Sequence, residues 1–137
     1  MNVYIDSSVL LRVVLGEPER LREWSRIKVA VSSELVRVEC LRVLDRLRLE
    51  GGLPERELSR RRGTLFQVVE GFDLVRLNRS VLDRASDPFP ILLRTLDALH
   101  LASALLARSR YPALRFATHD AELGQAALAS GLKPLGC

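Results

Sequence analysis

Four acidic residues occupy positions that the surrounding sequence predicts to lie near the protein interior. Asp6 closes the apolar run of VYIDSS, and Asp120 follows a second such run in FATHDAEL. Asp97 lies in LRTLDALHLASALL, a helical pattern that is apolar nearly all round and therefore typical of a buried helix. Glu39 lies in SSELVRVECLRVL, at the edge of the apolar stripe of another predicted helix. Ionised carboxylates are costly to bury unless they are paired or bind a metal.

Taken singly, each acid has an ordinary structural interpretation. Asp6 and Asp120 can cap the helices that follow them, because a side-chain oxygen satisfies free backbone N–H groups there. Asp97 can be a first-turn acid that the helix dipole favours. Glu39 can pair with Arg42 or Arg46 of its own helix, although such pairs contribute only about 0.2–0.5 kcal/mol. These interpretations stay open at the level of single residues.

Taken together, the four acids predict a metal site. Carboxylates a few ångströms apart repel one another and raise one another's pKa values, and a divalent cation removes that penalty. Oxygen ligands without a cluster of Cys and His favour Mg²⁺ or Mn²⁺ over zinc. The hydroxyls of Ser7 and Thr118 stand beside two of the acids and can orient a carboxylate or a bound water.

The elements that would position these acids alternate between short apolar strands and helices. This order predicts an α/β fold with a short parallel sheet of four or five strands and helices on both faces. Ligands of such sheets bind beyond the carboxyl ends of the strands, where Asp6 and Asp120 are expected. The predicted strands are Met1–Asp6, Val29–Val31, Asp73–Leu77, Leu114–Ala117 and Lys133–Leu135. The predicted helices are Ser7–Leu15, Glu19–Arg26, Ser32 or Ser33 to Glu50, Pro54–Val69, Ser80–Ala85, Thr95–Arg108 and Asp120–Ser130. The first of them is expected to open with a Ser cap. The third is expected to bury a stripe formed by Val36, Cys40, Val43 and Leu47.

Length and composition are those of one globular domain spanning residues 1–137. No apolar run reaches the roughly 18–20 residues of a membrane span, and the N-terminus predicts a strand rather than a signal peptide. Cys40 and Cys137 are not expected to form a disulfide, so we expect a cytoplasmic protein. The net charge of +4, carried almost entirely by arginine, is compatible with a nucleic-acid partner but also with surface ion pairs.

The stretches VYIDSSVLL, SSELVRVECLRVL, LRTLDALHLASAL and FATHDAEL resemble, in order and spacing, those of the PIN-domain ribonucleases, and specifically the VapC toxins of toxin–antitoxin pairs. The resemblance covers essentially the whole chain, and TLDALHLASA is its most specific piece. It implies that Asp6, Glu39, Asp97 and Asp120 are the catalytic acids, with Ser7 and Thr118 in support. They would bind Mg²⁺, or Mn²⁺, with Glu39 reaching the metal directly or through water.

The resemblance further implies a metal-dependent endoribonuclease whose activated water cleaves RNA to leave a 3′-hydroxyl and a 5′-phosphate. A VapB-like antitoxin and a homodimer are the implied partners. Arg94, one turn before Asp97, is a candidate contact to the RNA, whereas the arginines of Ser59–Gly63 are more typical of a solvated helix face. His100 and His119 are expected to support the site rather than act in catalysis.

Three other functions stay open on the sequence. The first is a PIN nuclease of RNA processing without a toxin role. A phosphoacceptor signalling domain is disfavoured, because it normally pairs acids after its first strand and Asp6 stands alone. A catalytically silent binding module has no evident reason to collect four acids.

Overall fold

The computed structural model describes residues 1–137 as a five-stranded, wholly parallel sheet flanked by helices. The strand order is β3-β2-β1-β4-β5, so β1 lies in the middle. The predicted α/β class and parallel sheet are confirmed. The strands are β1 (Asn2–Ile5), β2 (Val29–Ser33), β3 (Phe72–Val75), β4 (Arg115–Ala117) and β5 (Lys133–Leu135). The helices are α1 (Ser7–Val14), α2 (Leu35–Leu49), α3 (Glu55–Glu70), α4 (Arg79–Ser86), α5 (Thr95–Ala107) and α6 (Ala121–Ala129).

Two apolar cores sandwich the sheet, because successive side chains of a strand point to opposite faces. In β1, Val3 and Ile5 pack with α1, α2 and α3 on one face. Tyr4, between them, packs with α5 and α6 on the other face. Every side chain from Val3 to Ile5 is fully buried. The polar residue that follows Ile5 therefore lies next to the buried core.

The segment Glu19–Arg26 is not the helix that the sequence predicted. Only Trp24–Arg26 forms a short 3₁₀ helix, and the residues before it form turns. Leu21 is the one residue of this segment in the core, with Trp24 packed against it in part. So short a helix is marginal in water without an apolar face to pack, which explains the difference.

The buried stripe of α2 also differs from the predicted one. Val36, Cys40 and Leu44 are its buried residues, each four positions after the last, whereas Val43 and Leu47 are half-buried. This i, i+4 row faces α1, α3 and the sheet. The row leaves Glu39 at its edge, as the sequence indicated.

Both cysteines are free, as predicted: Cys40 is buried and Cys137 is exposed. No helix of the structure is both long enough and apolar enough to span a bilayer.

Candidate active site

The carboxyl edge of the sheet places Asp6 beside Thr118. Strands β1 and β4 are parallel neighbours with Ile5 opposite Ala117, so the residues that follow each strand lie at the same level. The backbone N–H of Asp6 donates to the carbonyl of Ala117 at 3.1 Å. The Thr118 hydroxyl donates to Asp6 Oδ2 at 2.6 Å. This hydrogen bond agrees with the supporting role predicted for Thr118.

Asp6 is the N-cap of α1, which confirms its cap interpretation and shows that the expected serine cap of this helix was wrong. Its Oδ1 accepts from the Val9 N–H at 3.2 Å and from the Ser8 hydroxyl at 2.6 Å. Asp6 is only 4% exposed. Burial raises the pKa of the Asp6 carboxyl, although the hydrogen bonds from Ser8 and Thr118 act in the opposite direction. The Asp6 side chain thus caps α1 and also carries a buried charge that is electrostatically costly.

Ser8 is a site residue that the sequence analysis missed. Its hydroxyl donates to Asp6 and accepts from the backbone N–H of His119 at 2.9 Å, so it joins the start of α1 to the segment after β4. Ser7, the serine chosen from the sequence, points elsewhere and donates to Glu39 Oε2 at 3.3 Å. The two adjacent serines of VYIDSS each hold a different acid, which their sequence alone did not reveal.

Glu39 forms no ion pair within its helix. Arg42, its expected partner, pairs with Asp45 at 2.9 Å instead. Glu39 Oε1 is hydrogen-bonded to His100 Nε2, and Oε2 accepts from Ser7. The intrahelical interpretation of Glu39 is therefore wrong, and its carboxylate faces partners from two other helices.

His100 is a buried residue that supports Glu39. The sequence assigned His100 only a general supporting role, and the structure leaves the residue 1% exposed. The Nδ1 atom of His100 is hydrogen-bonded to the Tyr4 hydroxyl at 2.8 Å. Burial raises the pKa of Tyr4 well above its usual value, so the phenol keeps its proton at neutral pH. Tyr4 was not predicted as a site residue, because an aromatic in a buried strand reads as core.

Asp97 and Asp120 have free carboxylate oxygens. Asp120 caps α6 through Oδ1, which accepts from the N–H groups of Glu122 at 2.9 Å and Leu123 at 3.2 Å. The cap interpretation of Asp120 is thus confirmed, but its Oδ2 has no hydrogen-bond partner. Asp97 lies in the first turn of α5. Its pKa is raised by burial first, and then by the negative charges of Asp120 and Asp6.

We name Asp6, Glu39, Asp97 and Asp120 the acid cluster. The charge of Glu39 also contributes to raising the pKa of Asp97, so the other three carboxylates all act on that of Asp97. Two members, Asp6 and Glu39, have both oxygens hydrogen-bonded, and two, Asp97 and Asp120, keep oxygens open. The four acids come from four separate segments of the chain.

An open cleft of about 730 Å³ exposes part of the acid cluster. Asp97 and Asp120 line it together with Arg94 and Glu122. Arg94 is exposed, forms no ion pair and stands directly before α5. By contrast, Arg60 and Arg61 of α3 are both paired with Glu57. The cleft therefore combines free carboxylate oxygens with one free guanidinium.

The ligand atoms fit a hard cation bound largely through water. No three His, Cys, Asp or Glu side chains are arranged to hold a metal ion between them. Mg²⁺ commonly keeps several waters and uses one or two protein carboxylates, so a closed cage is not required. Asp97 and Asp120 offer such carboxylates, and the repulsion acting on Asp97 is the penalty that a cation would relieve.

Comparison with known proteins assigns the class. A sequence profile of the PIN domain matches residues 3–128, and the chain belongs to this family. Among curated relatives, Ribonuclease VapC46 of Mycobacterium tuberculosis (strain ATCC 25618 / H37Rv) is 36% identical over 133 residues, which are 95% of this chain and 93% of that protein. Ribonuclease VapC47 of Mycobacterium tuberculosis (strain CDC 1551 / Oshkosh) is 33% identical over 128 residues, 88% of this chain and 86% of that protein.

Proposed function

We propose that this protein is a metal-dependent endoribonuclease of the VapC type. The observation that carries the proposal is the convergence of four carboxylates, from four separate segments, on one edge of a parallel sheet. The names of the two mycobacterial relatives support RNA as the substrate. A scaffold with no ligand gains nothing from this arrangement, because mutual repulsion of the acids destabilises the fold.

The metal would be held by the open oxygens of Asp97 and Asp120, with Asp6 and Glu39 as further direct or water-mediated ligands. Mg²⁺ is the proposed ion and Mn²⁺ an alternative. When bound, such an ion lowers the pKa of a coordinated water and stabilises charge that develops on a phosphate.

The protein's own residues would orient the reactants. Thr118 and Ser8 hold the Asp6 carboxylate in one rotamer, each through a contact of 2.6 Å. Arg94, on the wall of the cleft, would bind a phosphate of the RNA next to the cleaved bond. None of these steps needs a serine or cysteine nucleophile, and the hydroxyls of Ser8 and Thr118 are already engaged as donors to Asp6.

The biological setting follows from the same proposal. Residues 1–137 would form a single PIN domain that acts in the cytoplasm and is neutralised by a VapB-like antitoxin. A homodimer is part of the proposal, and exposed apolar residues of α2 support it: Val38 is 56% exposed and Leu49 is 68% exposed. Large apolar side chains left in water at one face are typical of protein contacts.

The test is cleavage of total cellular RNA by purified protein in Mg²⁺, in Mn²⁺ and in EDTA, with Asp97→Asn alongside. We expect discrete fragments with 3′-hydroxyl and 5′-phosphate ends that require both metal and Asp97. Asp83→Asn is the matched control, because Asp83 is an exposed acid of α4 that makes no ion pair. Folded, metal-binding protein that leaves all RNA intact would instead favour a silent binding module.

A second measurement separates a toxin from a processing nuclease. Expression of the chain in a bacterial host should arrest growth, and co-expression of the small protein encoded next to it should restore growth. Cleavage in vitro without any effect on growth would favour the processing role.

A further inference from the structure

We propose that His100, fixed by Tyr4, is a positioning residue that holds the Glu39 carboxylate at the acid cluster. This inference deepens the proposed nuclease function and rests on it. It assigns a role to two buried polar residues, Tyr4 and His100, that the acids alone leave unexplained. We call the chain of contacts from Tyr4 through His100 to Glu39 the Glu39 clamp.

The contacts assign the protons of the Glu39 clamp when Glu39 is ionised and His100 is neutral. An ionised carboxylate only accepts hydrogen bonds, so His100 Nε2 must carry the hydrogen that it donates to Glu39 Oε1. A neutral imidazole that donates at Nε2 accepts at Nδ1, and the Tyr4 hydroxyl lies 2.8 Å from that atom. Tyr4 therefore fixes the His100 tautomer that can hold a carboxylate.

The clamp is anchored in the rigid core. The Tyr4 ring stacks on Phe116 with ring centroids 5.3 Å apart and only 5° between the ring planes. The His100 ring meets Tyr4 edge-on, at 5.8 Å and 76°. Tyr4 and Phe116 come from adjacent strands, β1 and β4, in register. Tyr4 is fully buried, so its hydroxyl offers His100 Nδ1 a partner whose position is set by the packing of the sheet.

Without the clamp, Glu39 has other interactions available. It lies on α2 at the border of solvent, with 16% of its side chain exposed. Arg42 follows it at i+3 on the same helix, and an exposed pair with Arg42, which is bonded to Asp45 here, is the alternative for Glu39. A charge-assisted hydrogen bond to a buried donor outweighs such a surface pair, so the clamp decides where the carboxylate points.

The clamp also limits how Glu39 can meet a metal. Oε1 is occupied by His100 and Oε2 accepts only the longer bond from Ser7, at 3.3 Å. Oε2 is therefore the oxygen with capacity left for an ion or for a water bound to it. Groups that hydrogen-bond to one oxygen of a carboxylate orient it, so that its other oxygen can bind the metal, and in this way they tune the metal affinity.

The experiment compares His100→Leu, His100→Gln and Tyr4→Phe with the wild type. We expect His100→Leu to weaken Mn²⁺ binding, followed by the electron paramagnetic resonance of free Mn²⁺, by about 10- to 100-fold. His100→Gln keeps a donor near Nε2 and should recover part of that loss. Ser86→Ala is the control, because Ser86 donates to a carbonyl of its own helix, that of Leu82 at 2.8 Å, and takes no part in the clamp. It should bind Mn²⁺ as the wild type does.

A double mutant separates positioning from general stability. If His100 acts through Glu39, Glu39→Gln with His100→Leu should bind Mn²⁺ no more weakly than Glu39→Gln alone. Additive losses, or a folded His100→Leu protein with wild-type Mn²⁺ affinity and kcat, would overturn the clamp. Variants are compared only where their circular dichroism matches the wild type, and Tyr4→Phe provides a test if His100→Leu fails to fold.

The design distinguishes failure of the clamp from failure of the nuclease proposal. Wild-type protein that binds Mn²⁺ but cleaves no RNA would refute the proposed activity, while the binding comparison would still decide the clamp. Active wild type with unaltered His100→Leu would refute the clamp alone. Wild type that binds no Mn²⁺ would overturn both.

Discussion

Replacing Asp6 with Asn tests whether the acid cluster destabilises the fold in the absence of metal. Asp6 is 4% exposed, and burial raises its pKa despite the hydrogen bonds it accepts. Asparagine is as good an N-cap as aspartate and carries no charge. Its amide oxygen can accept from Val9 and Ser8, while the Thr118 hydroxyl can turn toward Ser8, 3.5 Å away. We therefore expect Asp6→Asn to be more stable than the wild type in EDTA at neutral pH.

Asp6→Ala supplies the scale for this comparison, because both variants lack the charge and only alanine lacks the cap. Loss of an N-cap costs about 0.5–2 kcal/mol. The Ser8 hydroxyl, which donates to Asp6, also loses its acceptor in the alanine variant, and an unsatisfied buried group costs about 1–3 kcal/mol. A total of roughly 1.5–5 kcal/mol between the two variants is expected. For 137 residues this corresponds to about 5–17 °C in Tm.

The pH dependence has a definite sign. A carboxyl whose pKa is raised on folding contributes stability that is complete below its unfolded value, about 3.8, and that is lost as the pH rises through the folded pKa. The Tm of the wild type should therefore fall relative to Asp6→Asn between pH 4 and pH 8 in EDTA. Saturating Mn²⁺ should reverse the order, since ligand at 100 times its Kd contributes about 2.7 kcal/mol.

Differential scanning calorimetry or thermal circular dichroism provides the measurement. A wild type that is more stable than Asp6→Asn in EDTA at pH 7, or a difference that does not change with pH, would refute the reasoning. The first result would mean that the hydrogen bonds from Ser8 and Thr118 outweigh burial of the charge.

Three further predictions concern other parts of the molecule. Asp97→Asn should lower kcat at least 100-fold without lowering the metal-free Tm, because it removes an open carboxylate that Asp120 and Asp6 repel; a drop in Tm would contradict this. Arg94→Ala should reduce the salt dependence of RNA binding by about one unit of slope, measured by fluorescence anisotropy, whereas Arg56→Ala on exposed α3 should not. Leu44→Ala, at a fully buried position, should cost about 2–5 kcal/mol in urea unfolding, and a loss below 1 kcal/mol would place Leu44 outside the core.

Most of the fold was predictable because its signals are local. Strand β1 was predicted to within one residue at each end, since it is a short, largely apolar run that ends at a polar residue. The prediction of a helix over Glu19–Arg26 was wrong for the opposite reason. The segment has helix-forming residues but only Leu21 reaches the core, and packing that a local pattern does not contain decides the outcome.

The acids of the site were predictable, but what holds them was not. An aspartate after a buried strand or in an apolar helix conflicts with its surroundings, and this conflict is visible in the sequence. Glu39 and His100 are 61 residues apart, and Tyr4 and His100 are 96 residues apart. Neither of these separations along the sequence corresponds to the repeat of a helix or of a strand. The choice between Ser7 and Ser8 likewise depends on side-chain direction at the first turn of α1, which their shared type conceals.

The hydrogen bonds of the acid cluster also connect the two helical layers. Glu39 belongs to α2, whose buried residues pack on one face of the sheet, and His100 belongs to α5, which packs on the other. Their contact passes over the carboxyl edge of β1, next to Asp6. A change in the charge of the cluster therefore acts where the two layers meet, rather than within either core. Binding of a cation or of a basic partner at the cleft would therefore change the stability of the whole domain. Either would relieve the repulsion among the acids, which the packing of the two layers otherwise has to overcome.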